Sequence, residues 1–305
     1  MGRKRGAEID GWLIVDKALG MGSTDVVAKS RRLFDARKVG HAGTLDPLAT
    51  GVLPIAFGRA TKAIPYIMDA TKEYRFTLAF GEQRDTDDGE GVAIATSDVR
   101  PTDAQITAAL PALTGDVLQV PPVYSALKVG GKRAYDLARA GTPPDLPPRP
   151  ARIDAITLVE RPDADTAVFT VRSGKGVYMR ALARDIALAC GSVGYIAVLR
   201  RTKCGPFGEA CAIALDKISQ NVDNAPASPA LLQPVATALA DIPALALTDD
   251  EARALSYGQT LDVRAVLDRL PALDDPDGIV RAMIGERALG ICRVENGRLR
   301  SVRLF

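Results

Sequence analysis

The stretch His41-Ala-Gly-Thr-Leu-Asp-Pro-Leu-Ala-Thr-Gly51 is the most informative part of this sequence, because it places a carboxylate, Asp46, on a loop that contains glycines. Pro47 fixes its own φ angle and biases Asp46 towards extended geometry. A carboxylate held in this way suits a nucleophile or a general base. The same Asp-Pro pair is also a common N-cap and first residue of a helix. The residues alone leave both roles open for Asp46.

Metal chemistry has few candidate ligands in this sequence. His41 is the only histidine, and the four cysteines form no C-x-x-C pair. A zinc site built from cysteine and histidine is therefore not expected, and the cysteines are expected to be free thiols in a reducing compartment. A histidine side chain can titrate near neutral pH, yet a lone histidine such as His41 is more often a hydrogen-bonded structural residue.

Length and composition leave room for a sizeable core. The 305 residues are 47% hydrophobic, and a chain of this length suggests about two domains. No apolar run reaches the roughly 18 residues of a membrane-spanning helix. The polar N-terminus lacks the apolar segment of a signal peptide. We therefore expect a cytoplasmic protein with no membrane contact.

The net charge of +2 is distributed unevenly along the chain. Residues 1–60 carry 10 Lys/Arg against 6 Asp/Glu, whereas residues 61–305 carry 29 against 31. A mildly basic N-terminal part suits a polyanionic partner. Nucleic-acid-binding domains are usually more basic than this, so a solvated basic surface without such a partner is the alternative.

The pattern of apolar residues predicts an α+β fold. Strands are predicted at residues 12–15, 52–57, 74–80, 153–159, 167–172 and 196–199, and helices at residues 25–34, 60–69, 102–113, 134–140 and 178–190. Ser23 and Thr24 are candidate caps of the first helix. The acidic segment 85–89 is predicted to be a solvated hairpin turn rather than a metal loop.

Two segments of unusual composition interrupt this pattern. Residues 141–150 form a proline-dense loop, and residues 221–229 have the composition of a linker. Beyond about residue 242 short strands predominate, at residues 279–284, 288–294 and 299–304. These strands predict a small β-rich C-terminal domain.

The stretch from His41 to Gly51 resembles the catalytic-loop signature of TruB-type tRNA pseudouridine synthases. Other segments resemble motifs of that family in the same order: GWLIVDK (11–17), KEY (72–74), PPVYSALK (121–128), GKRAY (131–135), SGKGVYMR (173–180) and VLRR (198–201). The similarity covers roughly residues 10–235, and residues 243–305 resemble a PUA-type RNA-binding domain more loosely. Ala18 departs from the family, which has proline at that position.

The resemblance implies a pseudouridine synthase fold, with a mixed, mainly antiparallel sheet flanked by helices and loops. It implies a catalytic domain of residues 1–240, with an RNA-gripping insertion at about residues 124–150, and a β-rich, PUA-like domain of residues 241–305. Five cations lie in or beside the insertion, at Lys128, Lys132, Arg133, Arg139 and Arg149. Binding of RNA through such cations should weaken with salt.

The resemblance also implies that uridine 55 in the T-loop of tRNA is converted to pseudouridine, without a metal, an organic cofactor or a guide RNA. The base must be flipped out of its stack at a cost of a few kcal/mol. The match of Asp46 implies the nucleophile or base, and Arg180 matches an arginine that pairs with and orients it. Tyr74 matches a tyrosine that stacks on the flipped base, and its phenol could also serve as an acid or base.

Four further matches imply contacts with the substrate. Tyr178 and Leu199 match residues that line the uridine pocket, His41 matches an RNA contact, and Lys17 is expected to contact an RNA phosphate. The T-stem-loop of tRNA is the implied partner, no obligatory protein partner is implied, and we expect a monomer.

Two other functions use the same RNA-gripping features. One is a tRNA-folding chaperone, a role that an enzyme of this type could combine with catalysis. The other is a guide-dependent synthase of the box H/ACA type. The sequence lacks an evident basic tail or partner-binding segment for the second, so the guide-independent enzyme is the favoured hypothesis.

Overall fold

The computed structural model describes residues 6–220, 226–269 and 278–305. The strands of its N-terminal part are β1 (Gly11–Lys17), β2 (Val39–His41), β3 (Ala49–Phe57), β4 (Lys72–Phe80), β5 (Glu82–Arg84), β6 (Ala93–Thr96), β7 (Gly115–Gln119), β8 (Lys128–Val129), β9 (Lys132–Arg133), β10 (Arg149–Glu160), β11 (Thr166–Ser173), β12 (Gly194–Cys204) and β13 (Phe207–Gly208). Nine of them form one sheet in the order β1-β3-β12-β4-β11-β10-β7, with β2 paired to β3 and β13 paired to β12. The β3–β12 pair is parallel and the other pairs of this sheet are antiparallel. The predicted mixed, mainly antiparallel sheet is confirmed.

Helices are present at all five predicted positions, whereas those at Leu215–Gln220 and Asp249–Ser256 were not predicted. The helices are α1 (Ser23–Leu33), α2 (Ile64–Asp69), α3 (Asp103–Ala109), α4 (Ala134–Arg139), α5 (Met179–Ala189), α6 (Leu215–Gln220) and α7 (Asp249–Ser256). The predicted helix at residues 60–69 is divided into a 3-10 helix, Gly58–Ala63, and α2. Pro65 lies in the first turn of α2, where its missing N–H removes no intrahelical hydrogen bond.

Strand β1 is apolar on both of its faces because both faces of the sheet are covered. Leu13 and Val15 belong to the core beneath α1, α5 and α6. Trp12 and Ile14 belong to a second core on the opposite face, together with Phe207. Burial on both faces explains why this strand is a continuous apolar run rather than an alternating pattern.

Two details of the predicted turns are wrong. The N-cap of α1 is Gly22, not Ser23 or Thr24, and the Ser23 hydroxyl binds the backbone of Leu45 instead. The acidic segment is a hairpin turn between β5 and β6, as predicted, but two of its carboxylates are not solvated. Asp87 and Asp88 are 5% and 3% exposed, because arginines of α5 pair with both carboxylates.

The C-terminal part is a second sheet that packs against the first part of the chain. Its strands are β14 (Ala244–Ala246), β15 (Leu261–Asp262), β16 (Ile279–Ile284), β17 (Arg287–Glu295) and β18 (Arg298–Leu304), in the order β14-β16-β17-β18-β15. Ala288 and Ile291 of β17 belong to the same buried cluster as Trp12. Lys62 also donates a hydrogen bond of 2.9 Å to the carbonyl of Leu304.

The predicted β-rich C-terminal region is therefore confirmed, as strands with an additional short helix, α7. The first five residues of the predicted linker, 221–225, lie outside the described residues. Among the described residues, no helix is long and apolar enough to cross a membrane.

Candidate active site

The loop that carries Asp46 connects β2 to β3 and does not begin a helix. The N–H of Ala49 donates to the carbonyl of Asp46 at 3.0 Å, which closes a tight turn, and β3 begins at Ala49. The N-cap interpretation of the Asp46–Pro47 pair is therefore wrong. The Asp46 side chain is 39% exposed and faces a cavity of about 600 Å³.

Side chains from β1 and α1 fasten this loop on both sides of Asp46. The Ser23 hydroxyl donates to the carbonyl of Leu45 at 2.9 Å and accepts from its N–H at 2.8 Å. The Lys17 ammonium donates to the carbonyls of Met21 at 2.7 Å and Pro47 at 3.2 Å. Both residues flanking Asp46 are thus tied to the sheet and its first helix, which restricts where the carboxylate can point.

A second anchor of the loop is Arg201 of β12, which is 1% exposed. Its Nη2 donates to the carbonyl of Gly43 at 3.0 Å, and its Nε donates to that of Val52 at 2.8 Å. Gly51 lies beside it on β3, with φ +98°, and a Cβ there would lie 2.2 Å from the Arg201 carbonyl oxygen. Only glycine permits this close approach of the parallel strands β3 and β12.

The carboxylate of Asp46 forms an ion pair with Arg180, at 2.8 Å between Oδ2 and Nη2. Arg180 lies in the first turn of α5 and its side chain is 6% exposed. Its guanidinium also donates to the carbonyls of Thr86 at 2.8 Å and Tyr124 at 2.9 Å, and lies 3.4 Å from Asp88. A planar guanidinium with several fixed partners holds its ion-pair partner in one orientation.

The acidic turn provides the negative side of this buried network. Asp88 faces Arg180, and Asp87 pairs with Arg184, one helical turn further along α5, at 2.7 Å. Burial raises the pKa of Asp87 to about 6, although the positive charges of Arg184 and Arg180 oppose the rise. A segment that looked like a surface turn thus anchors the helix that carries Arg180.

The cavity in front of Asp46 is lined by the aromatic and apolar residues that the sequence singled out. Tyr74 of β4, Tyr178 at the N-cap of α5 and Leu199 of β12 all border it, together with Arg180. Burial raises the pKa of both Tyr74 and Tyr178 above the usual value of a phenol. Two aromatic rings and an apolar wall beside one carboxylate suit a flat, partly polar ligand such as a nucleobase.

Tyr178 is held by Gln119, the last residue of β7, which is 4% exposed. The Gln119 side chain accepts from the Tyr178 N–H at 2.9 Å and donates to the Tyr178 carbonyl at 3.2 Å. This amide occupies both backbone groups of the residue that precedes α5. Gln119 therefore fixes where α5 starts, and with it the positions of Tyr178 and Arg180.

Positive charge predominates among the residues that line the cavity. Cationic side chains are contributed by Lys72, Arg149, Lys175, Arg180 and Arg201, and carboxylates by Asp46 and Asp69. Such an excess of cations attracts a polyanionic ligand. Among the described residues, no group of three or more histidine, cysteine or acidic side chains is placed to hold a metal ion.

Two of the predicted site residues lie behind the cavity rather than in it. Lys17 is 1% exposed, and burial lowers its pKa to about 8. A direct contact of Lys17 with RNA phosphate would require its ammonium to leave three backbone carbonyls, those of Ala18, Met21 and Pro47. His41 is half-buried on β2, its Nδ1 is buried without a hydrogen-bond partner, and burial lowers its pKa.

The structure also brings residues into the site that the sequence did not single out. These are Gln119, Lys72, Asp88 and Arg201. Lys72 and Arg201 stand inside segments already recognised as motifs, KEY and VLRR, and a charged residue within a buried strand is unusual enough to suggest a functional role.

Comparison with known sequences identifies the family. Residues 31–179 match the N-terminal domain of TruB family pseudouridylate synthases, and residues 180–240 match the tRNA pseudouridylate synthase B C-terminal domain. The chain is 68% identical to a protein of Gluconobacter oxydans and 67% identical to one of Gluconacetobacter diazotrophicus, both named tRNA pseudouridine synthase B. These alignments cover 100% of this chain and 93% and 100% of the two relatives.

Comparison with solved structures agrees on the fold. The crystal structure of a Cbf5-Nop10-Gar1 complex contains a chain with a TM-score of 0.74 and 24% identity, covering 97% of this chain and 84% of that one. A chain in the structure of an H/ACA RNP bound to a substrate RNA containing 2'-deoxyuridine has a TM-score of 0.72 and 22% identity, with the same coverage. The described architecture is thus the α+β pseudouridine synthase fold with a PUA-like C-terminal sheet, and the chain belongs to the TruB family of pseudouridylate synthases.

Proposed function

We propose that this protein converts uridine 55 in the T-loop of tRNA to pseudouridine, with Asp46 as the reacting carboxylate. The observation that carries the proposal is the ion pair between Asp46 and the buried Arg180 at the edge of the cavity. The ion pair holds the Asp46 carboxylate in one orientation, facing the cavity that Tyr74 and Tyr178 border. The names of the bacterial relatives support tRNA as the substrate.

The reaction exchanges the bond between N1 of the base and C1′ of the ribose for a bond between C5 and C1′. Asp46 serves the cleavage of the first bond, as a nucleophile or a base. Tyr74 stacks on the flipped base and Tyr178 and Leu199 enclose it, so that water is excluded while the base turns. Stacking of about 1–3 kcal/mol per base offsets much of the cost of flipping.

The remaining contacts with tRNA are assigned to three regions. The insertion at residues 124–150 carries exposed cations at Lys128, Lys132 and Arg133, which suit phosphate contacts. The catalytic domain is assigned to residues 1–240 and the PUA-like domain to residues 241–305, as an additional RNA-binding surface. His41 is assigned to an RNA contact, and Lys17 acts by fastening the loop of Asp46 unless RNA displaces it.

The enzyme is proposed to act in the cytoplasm as a monomer, without a cofactor, an obligatory protein partner or a guide RNA. The similar solved structures come from multiprotein and RNA-guided assemblies, so the alternative is a chain that requires such partners. Activity of the purified protein on unmodified tRNA alone separates the two possibilities. Size-exclusion chromatography with light scattering tests the monomer.

The direct test is mapping of pseudouridine on a T-stem-loop RNA treated with the purified protein. Asp46→Asn should bind the RNA with nearly unchanged affinity and form no pseudouridine. Asp69→Asn is the matched control, because Asp69 also lines the cavity but pairs with the exposed Lys175 at 2.8 Å. Full activity of Asp46→Asn would exclude Asp46 as the reacting group.

A further inference from the structure

The structure contains a second buried arginine at the site, Arg201, and the reaction assigns it no role. It is 1% exposed, and its hydrogen bonds go to the carbonyls of Gly43 and Val52 rather than to a carboxylate. Burial of a guanidinium is costly unless its positive charge is compensated. Because Arg201 is buried at the edge of the cavity despite this cost, we expect it to have a function there.

Arg201 is placed directly against Tyr74. The two residues are opposite each other in the register of β12 and β4, so their side chains share one face of the sheet. Both line the cavity that Asp46 faces. The groups that act most strongly on the Tyr74 phenol are Arg201 and Cys204 of β12 and Asp46 of the loop, and Arg201 is the cation among them.

We propose that Arg201 is a positioning residue that holds the Asp46 loop through Gly43 and presents its positive charge to the phenol of Tyr74, so that the phenolate, the form of Tyr74 that can accept a proton, is formed more readily. This inference rests on the proposed function. Burial raises the pKa of Tyr74, and Cys204 and Asp46 raise it further, whereas the positive charge of Arg201 lowers it. Arg201 therefore opposes the effect of burial on the pKa of Tyr74.

The isomerisation requires such a proton acceptor. When C5 replaces N1 in the bond to C1′, C5 loses one proton and N1 gains one. The Tyr74 phenolate takes the proton from C5 and becomes a phenol, while the electron pair of the C5–H bond returns to the ring. N1 takes a proton from water, and the resulting hydroxide removes the proton from the phenol. The number of protons is unchanged over the cycle.

The contact with Gly43 explains why an arginine suits this position better than a shorter cation. A Cβ at Gly43 would lie 3.3 Å from Nη1 of Arg201, so the guanidinium is packed closely against the loop backbone. One planar group thereby fixes the loop of Asp46 and faces Tyr74 at the same time. The same side chain therefore fixes the positions of Asp46 and Tyr74 relative to each other.

The test replaces Tyr74 with a fluorotyrosine and follows ionisation of its phenol by fluorine NMR in the protein without RNA. The ring fluorines lower the phenol pKa, which brings the titration towards neutral pH. Arg201→Met should move the midpoint of this titration upward by about one pH unit or more, and Arg201→Lys should move it less. Arg200→Met is the matched control, because Arg200 is the neighbour in β12 but pairs with Asp16 and Glu209 instead.

An unchanged midpoint in folded Arg201→Met would overturn the inference and leave Arg201 a purely structural residue. If Arg201→Met does not fold, the single-turnover rates of wild type and Arg201→Lys, each with and without Tyr74→Phe, decide. The inference is supported if Arg201→Lys lowers the single-turnover rate by a smaller factor in the Tyr74→Phe background than in the wild type. Equal factors in the two backgrounds contradict it. The NMR titration does not depend on activity, so failure of wild type to form pseudouridine would overturn the proposed function alone.

Discussion

Arg180 contacts the carboxylate of Asp46 at 2.8 Å while its own side chain is 6% exposed. On its other side the guanidinium faces Asp88 at 3.4 Å, so that one buried cation lies between two carboxylates. Two backbone carbonyls, those of Thr86 and Tyr124, occupy further N–H groups of Arg180. Because the Arg180 guanidinium has little freedom to move, a substitution of Asp88 should alter the position of Arg180 and, through it, the orientation of the Asp46 carboxylate.

Asp88→Asn should lower both the stability and the reaction rate. Loss of one carboxylate leaves Arg180 with a buried charge that is less well compensated, which should reduce the free energy of unfolding by about 1–3 kcal/mol. Urea denaturation measures that change, and single-turnover kinetics on a T-stem-loop RNA measure the rate. Glu90→Gln is a suitable control, because Glu90 lies in the same turn and is exposed. Equal behaviour of the two variants would show that Asp88 has no part in holding Arg180.

Gln119→Glu should disturb the site through the backbone of Tyr178. The variant keeps the size of the side chain and the acceptor for the Tyr178 N–H, but it places an oxygen against the Tyr178 carbonyl. We expect a loss of about 1–3 kcal/mol in the free energy of unfolding, because a buried hydrogen bond is replaced by a repulsion. The rate of pseudouridine formation should fall as Tyr178 and Arg180 move. Thermal unfolding at two pH values checks the assignment, since protonation of the new carboxyl should restore part of the lost stability.

Gly51→Ala should be among the most damaging small substitutions in the chain. Its Cβ would lie 2.2 Å from a backbone oxygen of Arg201, and φ is +98°. Backbone strain and the clash together should cost roughly 2–5 kcal/mol of stability. Gly191→Ala is the control, with φ +72° and nothing within 4 Å of its Cβ, and should cost only about 1 kcal/mol. A Gly51→Ala protein as stable as the control would mean that β3 and β12 separate easily.

Lys132→Ala tests the proposed grip of the insertion on RNA. Lys132 is the exposed first residue of β9, next to the turn of the β8–β9 hairpin, where it suits a phosphate contact. Its removal should weaken tRNA binding and reduce the slope of log affinity against log salt by about 0.7–0.9. Lys29→Ala is the control, because Lys29 pairs with Asp216 on α6 and lies outside the insertion. An identical slope for the wild type and Lys132→Ala would place the RNA elsewhere.

Local patterns predicted most of the fold but little of what surrounds the loop that carries Asp46. Strand β1 and the capped helix α3 follow from short segments whose apolar spacing or capping box is complete in itself. The burial of Asp87 could not be predicted in this way, because its partner Arg184 is 97 residues distant in sequence. The role of Ser23 was predicted wrongly for the same reason, since its hydroxyl binds Leu45 rather than the helix that begins at Ser23.

Prediction of the site was limited in the same way, by contacts between residues that are distant in sequence. The resemblance of whole motifs supplied Asp46, Tyr74 and Arg180 as a set, which single residues could not have done. Gln119 and Arg201 were not predicted, because their contacts with Tyr178 and Gly43 join residues 59 and 158 positions apart. Both contacts are made to the backbone of a motif, which its side-chain pattern does not reveal.

Glu251 provides a pH-dependent test of the C-terminal part of the fold. Its carboxylate accepts from Arg269 at 2.7 and 2.9 Å and from the N–H of Thr248 at 2.8 Å, and these contacts lower its pKa from 4.5 to about 2. Because the pKa is depressed in the folded state, the stabilisation is present above about pH 4.5 and is lost as pH falls towards 2. Glu251→Gln should therefore be less stable than the wild type at neutral pH, by about 1 kcal/mol, because the ion pair with Arg269 is screened by solvent.

Glutamine can still complete the capping box with Thr248, so the variant removes the charge while it leaves the start of α7 intact. The difference between the two unfolding free energies, measured in denaturant at a series of pH values, should shrink below about pH 4.5. Glu251→Ala, which removes the cap as well, should retain part of its defect at low pH. A constant difference between wild type and Glu251→Gln across the whole range would show that the ion pair with Arg269 does not stabilise the folded protein.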